Sequence, residues 1–576
     1  MTEANALPHA LYDLALIGDR RTAALVHRSG SVVWYCPERF DAPALLTALL
    51  DSEAGGCWTL EPPLIPVGRR YLDESGVLET VLSTPEGTVT VTDWLPLGDG
   101  LSNGLCRRFS PVPRAITLSL TVTPDYGRQP PPLHLEGHIA RLGSQVLYAS
   151  HPLELAGNRV SFTLPAGEAG WAFLSDAPLE TFSTEALEHS LQVTLTTWDE
   201  RAARTRYSGP YEREINASLR ALRLLTFEET GSVIAAPTTS LPEVIGGARN
   251  YDYRYVWLRD AGMIVSAITR AGGDPNEGAR FLDFIAKTDS PTDSLPLAPF
   301  ATPDGKKVSA QTVLGLPGYA NSTPVVIGND ANEQLQLDAY GNVLLAAKLL
   351  YSHLDEPKHW NLVARLADYL CEHWREPDHG LWEEKEPRQY TSSKVIVACG
   401  LRFIADYCPD ETQARRWLEA AQDIHKFVAE NCLTQGGAYA AVAGEDAVDV
   451  SAALFPVWDY TAPDTPEMLA TMRVLERDSA VGDLYHRHLF EFDAHQEGAF
   501  LAGTLWVAQY WIMRGELNRS RRIIDAVLAC GNDLFLLSEE ADPWTKRMLG
   551  NFPQSFVHAA LIGVVIDLKA ALEGAE

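Results

Sequence analysis

Two hydrophobic rhythms divide the chain. Over roughly the first 200 residues, apolar and polar positions alternate, the period of a half-buried strand. "TVTVTDWL" (Thr88–Leu95) and "AITLSLTVT" (Ala115–Thr123) are rich in Val, Ile and Thr, and "STPEGT" (Ser83–Thr88) supplies a turn. "RVSFTL" and "LQVTLTTW" are read as further strands. This texture predicts an antiparallel β-sandwich. From Tyr211 the period changes. Ile215, Leu219, Leu222 and Leu225 mark one face of a helix. The pattern predicts helices near 212–229, 256–272, 275–288, 333–353, 357–375, 391–407, 411–431, 449–455, 464–478, 499–514, 516–530 and 553–573.

About twelve helices make six hairpins, and each hairpin must bury a face against its neighbours. Closure into a six-hairpin toroid, an (α/α)6 barrel, meets that need. The expected division is 1–205 for the β-sandwich with its linker and 206–576 for the barrel. If the helices run up and down, every odd-to-even connection lies at one end. Those connections hold the unusual residues: Gly246–Gly262, Leu314–Gln334, His379–Tyr390, Thr434–Asp449, Glu491–Phe500 and Glu539–Gln554. Most of the alternate connections are short and plain, such as "GGDP" and "RGE". One end of the barrel is therefore expected to carry the chemistry.

Composition narrows the chemistry. The formal net charge of −29 argues against a nucleic-acid backbone as partner. The eight cysteines show no CxxC or other metal spacing. Neither a secretory leader nor a run of about 18 apolar residues is apparent, so a cytoplasmic protein without a membrane span is expected. No cofactor and no metal are expected. HxH in "YHRHLFEFDAHQ" (His486, His488, with His495 beyond) is weak evidence for a ligand set. No phosphate loop, dinucleotide fingerprint or nucleophile elbow is found. A homo-oligomer is compatible with the sequence.

The candidate end combines rings, carboxylates and arginines, the groups that recognise a sugar. Trp and Tyr stack on its apolar faces, while Asp and Arg pair with its hydroxyls. In "GGARNYDYRYVWLRDAG", Tyr253 and Trp257 could form a wall and Arg259 and Asp260 a clamp. Glu383 in "GLWEE", between Trp382 and Glu384, has the crowded setting that raises a carboxyl pKa and suits a general acid. Glu497 in "QEGAF" is the candidate base. An acid and a base across a pocket hydrolyse glycosidic bonds.

These segments resemble glycoside hydrolase family 15, the glucoamylase and bacterial trehalase family, over nearly the whole chain. The resemblance rests on "APTTSLPEVIGGARNYDYRYVWLRDAG", "LPGY", "IGNDANEQLQLDAYG", "GLWEE", "EGAFLAGTLW" and "GNFPQSFVHAALI", in that order. It implies an (α/α)6 barrel and an inverting mechanism. It implies Glu383 as general acid and Glu497 as general base. Tyr253, Trp257, Arg259, Asp260 and Glu384 would hold the sugar, beside Trp382. Thr323 and Val326 stand where bacterial relatives often carry arginines. The expectation is exo-acting glucoamylase-type cleavage of α-glucan oligosaccharides; α,α-trehalase is the alternative. A non-catalytic glucan-binding protein and a phosphorylase are further alternatives.

Overall fold

The strand-period half forms two antiparallel sheets. The structure, a computed structural model, describes residues 9–98, 101, 103–128, 132–179, 182–288, 297–490 and 497–574. His495 lies outside them. The strands are β1 Leu14–Gly18, β2 Ala23–His27, β3 Val32–Tyr35, β4 Cys57–Glu61, β5 Ile65–Tyr71, β6 Leu78–Thr84, β7 Gly87–Trp94 and β8 Gly104–Phe109. They continue with β9 Ile116–Thr121, β10 Leu133–Glu136, β11 Ile139–Leu142, β12 Gln145–Ala149, β13 Glu154–Ala156, β14 Arg159–Leu164 and β15 Gly170–Ser175. One sheet has the order β1-β2-β3-β4-β9-β14-β13, the other β10-β11-β12-β15-β8-β7-β6-β5. A buried ion pair joins them. Arg107 Nε donates to Asp93 Oδ1 at 2.8 Å within the second sheet, and the same guanidinium reaches the Trp58 carbonyl of the first.

One expected strand is a helix. "LQVTLTTW" lies inside α1 (Thr184–Ala203), capped by Ser183, whose Oγ accepts from the Ala186 amide. Leu187, Leu191, Thr194, Trp198 and Ala202 are buried along one face. That helical spacing outweighs the local β-branched run, because burial of a continuous stripe is worth more than intrinsic propensity.

The helical half contains α2 Glu212–Leu224, α3 Leu258–Arg270, α4 Pro275–Thr288, α5 Leu337–Tyr351, α6 Trp360–His373 and α7 Thr391–Ile404. It then has α8 Glu411–Asn431, α9 Pro466–Asp478, α10 Leu501–Met513, α11 Leu517–Leu528 and α12 Ser555–Glu573. The short eighth stretch is a 3-10 helix, Val450–Leu454. Helices α3, α5, α7, the 3-10 helix, α10 and α12 form the inner ring, α12 closing onto α3; α2, α4, α6, α8, α9 and α11 lie outside. The sequence explains the sorting. Inner α10 ("LAGTLWVAQYWIM") is apolar nearly all round, as a helix packed on every side must be. Outer α8 buries only Trp417, Ala421, Ile424 and Val428. Helix α12 is long and apolar enough to cross a membrane by length and composition, but 67% of its apolar window is buried within the barrel. The two units share one continuous core.

His558 of α12 is fully buried between α2 and the Leu537 backbone. Its Nδ1 pairs with Ser218 Oγ at 2.9 Å, and Nε2 accepts the Leu537 amide. Burial lowers its pKa from 6.5 to about 3. The ring is thus neutral in the fold and gains a proton on unfolding. The stability it contributes is complete above pH 6.5 and is lost as pH falls toward 3. His558→Gln should flatten the stability–pH slope in this window by about 1.4 kcal/mol per pH unit, measured by urea unfolding.

Candidate active site

The connections at one end of the barrel surround a cavity of about 470 Å³. This lies within the range of roughly 300–1,000 Å³ typical of small-molecule sites. Each chemistry-bearing connection contributes to its lining except Thr434–Asp449. Tyr253, Trp257, Arg259, Asp260, Trp382, Glu383 and Glu384 all line it. Thr323 and Val326 do not.

The signature segment builds one wall. Residues Val256–Trp257 pair with Phe300–Ala301, and the Trp257 ring packs on Phe300 with centroids 4.9 Å apart. Tyr253 meets Trp257 edge-on at 5.4 Å. Helix α3 starts immediately after Trp257, which places Arg259 and Asp260 in its first turn. Arg259 Nε donates to Asp260 Oδ1 at 2.9 Å, and Nη1 donates to the Leu381 carbonyl at 2.8 Å. The guanidinium is thereby fixed to the turn that carries Glu383.

Glu383 sits at φ +58°, in the left-handed region. A non-glycine residue there costs about 1–2 kcal/mol, and such strain gathers at functional sites. Trp257 Nε1 donates to its Oε1 at 2.5 Å, and Arg259 Nη2 lies 3.7 Å from the same oxygen. Burial raises its pKa; Arg259 and the indole N–H oppose this, and Asp260 adds to it. Trp382 packs edge-on against Phe500 at 4.9 Å, with the Arg487 guanidinium 5.2 Å from its ring centre. Glu384 Oε1 accepts the Phe490 amide at 2.8 Å.

Glu497 does not occupy the expected place. It is not among the residues lining the cavity, and its side chain is only 2% exposed. Arg249 Nε lies 2.6 Å from Oε1, and Arg487 Nε donates to Oε2 at 3.1 Å. The two guanidinium groups that hold it outweigh burial and lower its pKa. The physical reason is local: two arginines had counter-charges to find in a buried space, and Glu497 with Glu243 and Glu540 supplies them. Oxygens of these three acids lie within 4.8 Å of one another, with Arg487 contacting all three.

A further carboxylate lining the cavity is Glu539, to which the sequence alone assigned no role. Tyr253 Oη donates to its Oε1 at 2.7 Å, while the buried Oε2 has no hydrogen-bond partner among the described residues. Gly550, at φ +72°, makes room for it: a Cβ there would lie 2.6 Å from Oε2. Burial and then the Glu243 carboxylate push its pKa up to about 8, against Arg487 and the Tyr253 hydroxyl. A signal for it was present. Glu539 and Glu540 form a doublet before "ADPWTKRMLGNFPQ", the same crowding that singled out Glu383 and Glu384.

With this geometry in place, similarity to known proteins bears on it. Residues 209–514 match the family described as Glycosyl hydrolases family 15, and residues 5–172 match "Trehalase-like, N-terminal". A trehalase of Mycolicibacterium smegmatis is 29% identical, covering 98% of this chain and 92% of its own. Trehalase 1 of Sulfolobus acidocaldarius is 27% identical over 96% of this chain and 98% of its own. Among solved structures, a bacterial glucoamylase complexed with acarbose has a TM-score of 0.73, covering 99% of this chain and 96% of that one. At 14% identity that likeness speaks to the fold.

Proposed function

The chain belongs to glycosyl hydrolases family 15 and is a glycoside hydrolase, and from that premise we propose that it cleaves α,α-trehalose with inversion, using Glu383 as general acid and Glu539 as general base. The observation that carries the reading is that both carboxylates line the one cavity that also holds the aromatic and Arg259–Asp260 clamp. Glu383 is held where burial favours its protonated form. Glu539 is oriented by Tyr253, whose hydroxyl donates to Oε1. A base works best with a pKa near the operating pH, and about 8 meets that requirement.

In the proposed reaction, the Glu539 carboxylate takes a proton from water as the water oxygen attacks one anomeric carbon. The bond from that carbon to the bridging oxygen breaks, and Glu383 gives its proton to that oxygen. One molecule of water is consumed. The attacked ring leaves as β-glucose and the other as α-glucose. Glu539 then releases a proton to solvent and Glu383 regains one. Asp260 and Arg259 hold hydroxyls of the attacked ring, with Tyr253, Trp257 and Trp382 against its faces and Glu384 as a further acceptor.

Trehalose replaces α-glucan as the preferred substrate because relatives similar along the whole chain carry the name trehalase. The glucoamylase likeness is one of fold. Hydrolysis is favoured over phosphorolysis because Glu539, oriented by the Tyr253 hydroxyl, lines the cavity as a candidate base. Glucose release from trehalose should exceed that from maltotriose by about 100-fold in kcat/KM, since polar groups left unpaired by the wrong sugar are costly. Faster cleavage of maltotriose would refute the assignment.

A further inference from the structure

We propose that the buried Asp252–Arg254 pair is a positioning device through which the β-sandwich unit sets Tyr253 and, with it, the Glu539 carboxylate. The inference rests on the reading of Glu539 as base.

The segment around Tyr253 is extended, so neighbouring side chains point to opposite sides. Tyr253 faces the cavity; Asp252 and Arg254 share the other side. Arg254 Nε and Nη2 donate to the two oxygens of Asp252 at 2.8 and 2.7 Å. Both residues are almost wholly buried. The remaining Arg254 nitrogen, Nη1, crosses to the β-sandwich unit, donating to the Ala42 carbonyl at 2.9 Å and lying 3.7 Å from Cys36 Sγ. The Tyr126 ring of the same unit lies 5.8 Å from the guanidinium carbon. Asp252 Oδ2 also accepts the Gly328 amide at 3.1 Å, immediately before the wall residues Asn329, Asp330 and Ala331. One ion pair thus ties the loop after β3 to two walls of the cavity. Among the described residues, none from the β-sandwich unit lines that cavity; this pair joins the unit to the cavity wall.

The chemistry favours a positioning role. A buried ion pair loses hydration that its mutual attraction barely recovers, and apolar residues of similar volume often hold a fold as well. A bidentate guanidinium fixes direction as well as distance. Here it fixes the backbone on both sides of Tyr253, whose hydroxyl must stay 2.7 Å from Glu539 Oε1.

The test is a cycle on the full-length protein with trehalose. Asp252→Asn with Arg254→Met removes both charges and keeps an acceptor for the Gly328 amide. Its kcat should fall about 10- to 100-fold, as expected for a displaced catalytic group. KM should stay within about threefold and Tm within a few degrees. Added to Tyr253→Phe, it should lower kcat no further than Tyr253→Phe alone, because both act through one hydrogen bond. Arg254→Lys keeps the charge but cannot span Asp252 and Ala42 together, and should lose kcat in the same direction. Wild-type kcat per folded molecule in these variants, or losses that multiply with Tyr253→Phe, would overturn the inference. Glu539→Gln run in parallel separates the two ideas. Turnover retained there sinks the base assignment; an inactive Glu539→Gln beside fully active pair variants sinks the brace.

Discussion

Glu539→Gln should lose about 10³-fold or more in kcat on trehalose while still binding the sugar, because base assistance contributes about 10²–10⁴-fold. The amide keeps the size of the side chain but cannot take a proton from the attacking water. Its stability should hold or rise. Burial and then the Glu243 carboxylate disfavour the ionised form of this carboxyl, and a neutral amide of the same size does not incur that cost. Glu497→Gln should behave in the opposite way. It breaks contacts with Arg249 and Arg487 in a buried cluster, and loss of one partner from such a pair costs about 3–5 kcal/mol. Its Tm should fall clearly, and its kcat less than that of Glu539→Gln. Equal kcat losses in the two variants, measured on folded protein, would contradict the assignment.

Glu383→Gln should cost a similar factor, about 10²–10⁴ in kcat, because the leaving oxygen departs without a proton. The variant should retain far more activity on α-glucosyl fluoride, whose leaving group needs no acid. This contrast distinguishes loss of proton donation from disruption of the pocket. The amide can still receive the Trp257 N–H, and Arg259 remains anchored to Asp260 and Leu381. Equal losses on trehalose and the fluoride would show that residue 383 serves the pocket's shape and donates no proton.

Most of the architecture was legible because burial writes its period into the chain. Helices α8 and α11 show their single apolar faces, and α10 and α12 are apolar throughout because neighbours cover them on all sides. The parity of the connections then located the cavity without any single residue. The segment Leu191–Trp198 misled because β-branched residues obscured a helical stripe whose partner, the second sheet, is remote in sequence. The surroundings of Glu497 were hidden for a related reason. An acid followed by glycine before an apolar helix looks available for chemistry, but its state depends on Arg249 and Arg487, which only folding brings to it. Glu539 escaped notice because its orienting hydroxyl, Tyr253, lies 286 positions away.

The most direct test is proton NMR of trehalose hydrolysis at early times, before mutarotation mixes the anomers. Inversion gives α- and β-glucose in equal initial amounts, one from the spectator ring and one from the attacked ring. Initial release of α-glucose alone would mean retention, and with it a mechanism that the Glu383–Glu539 pairing does not describe.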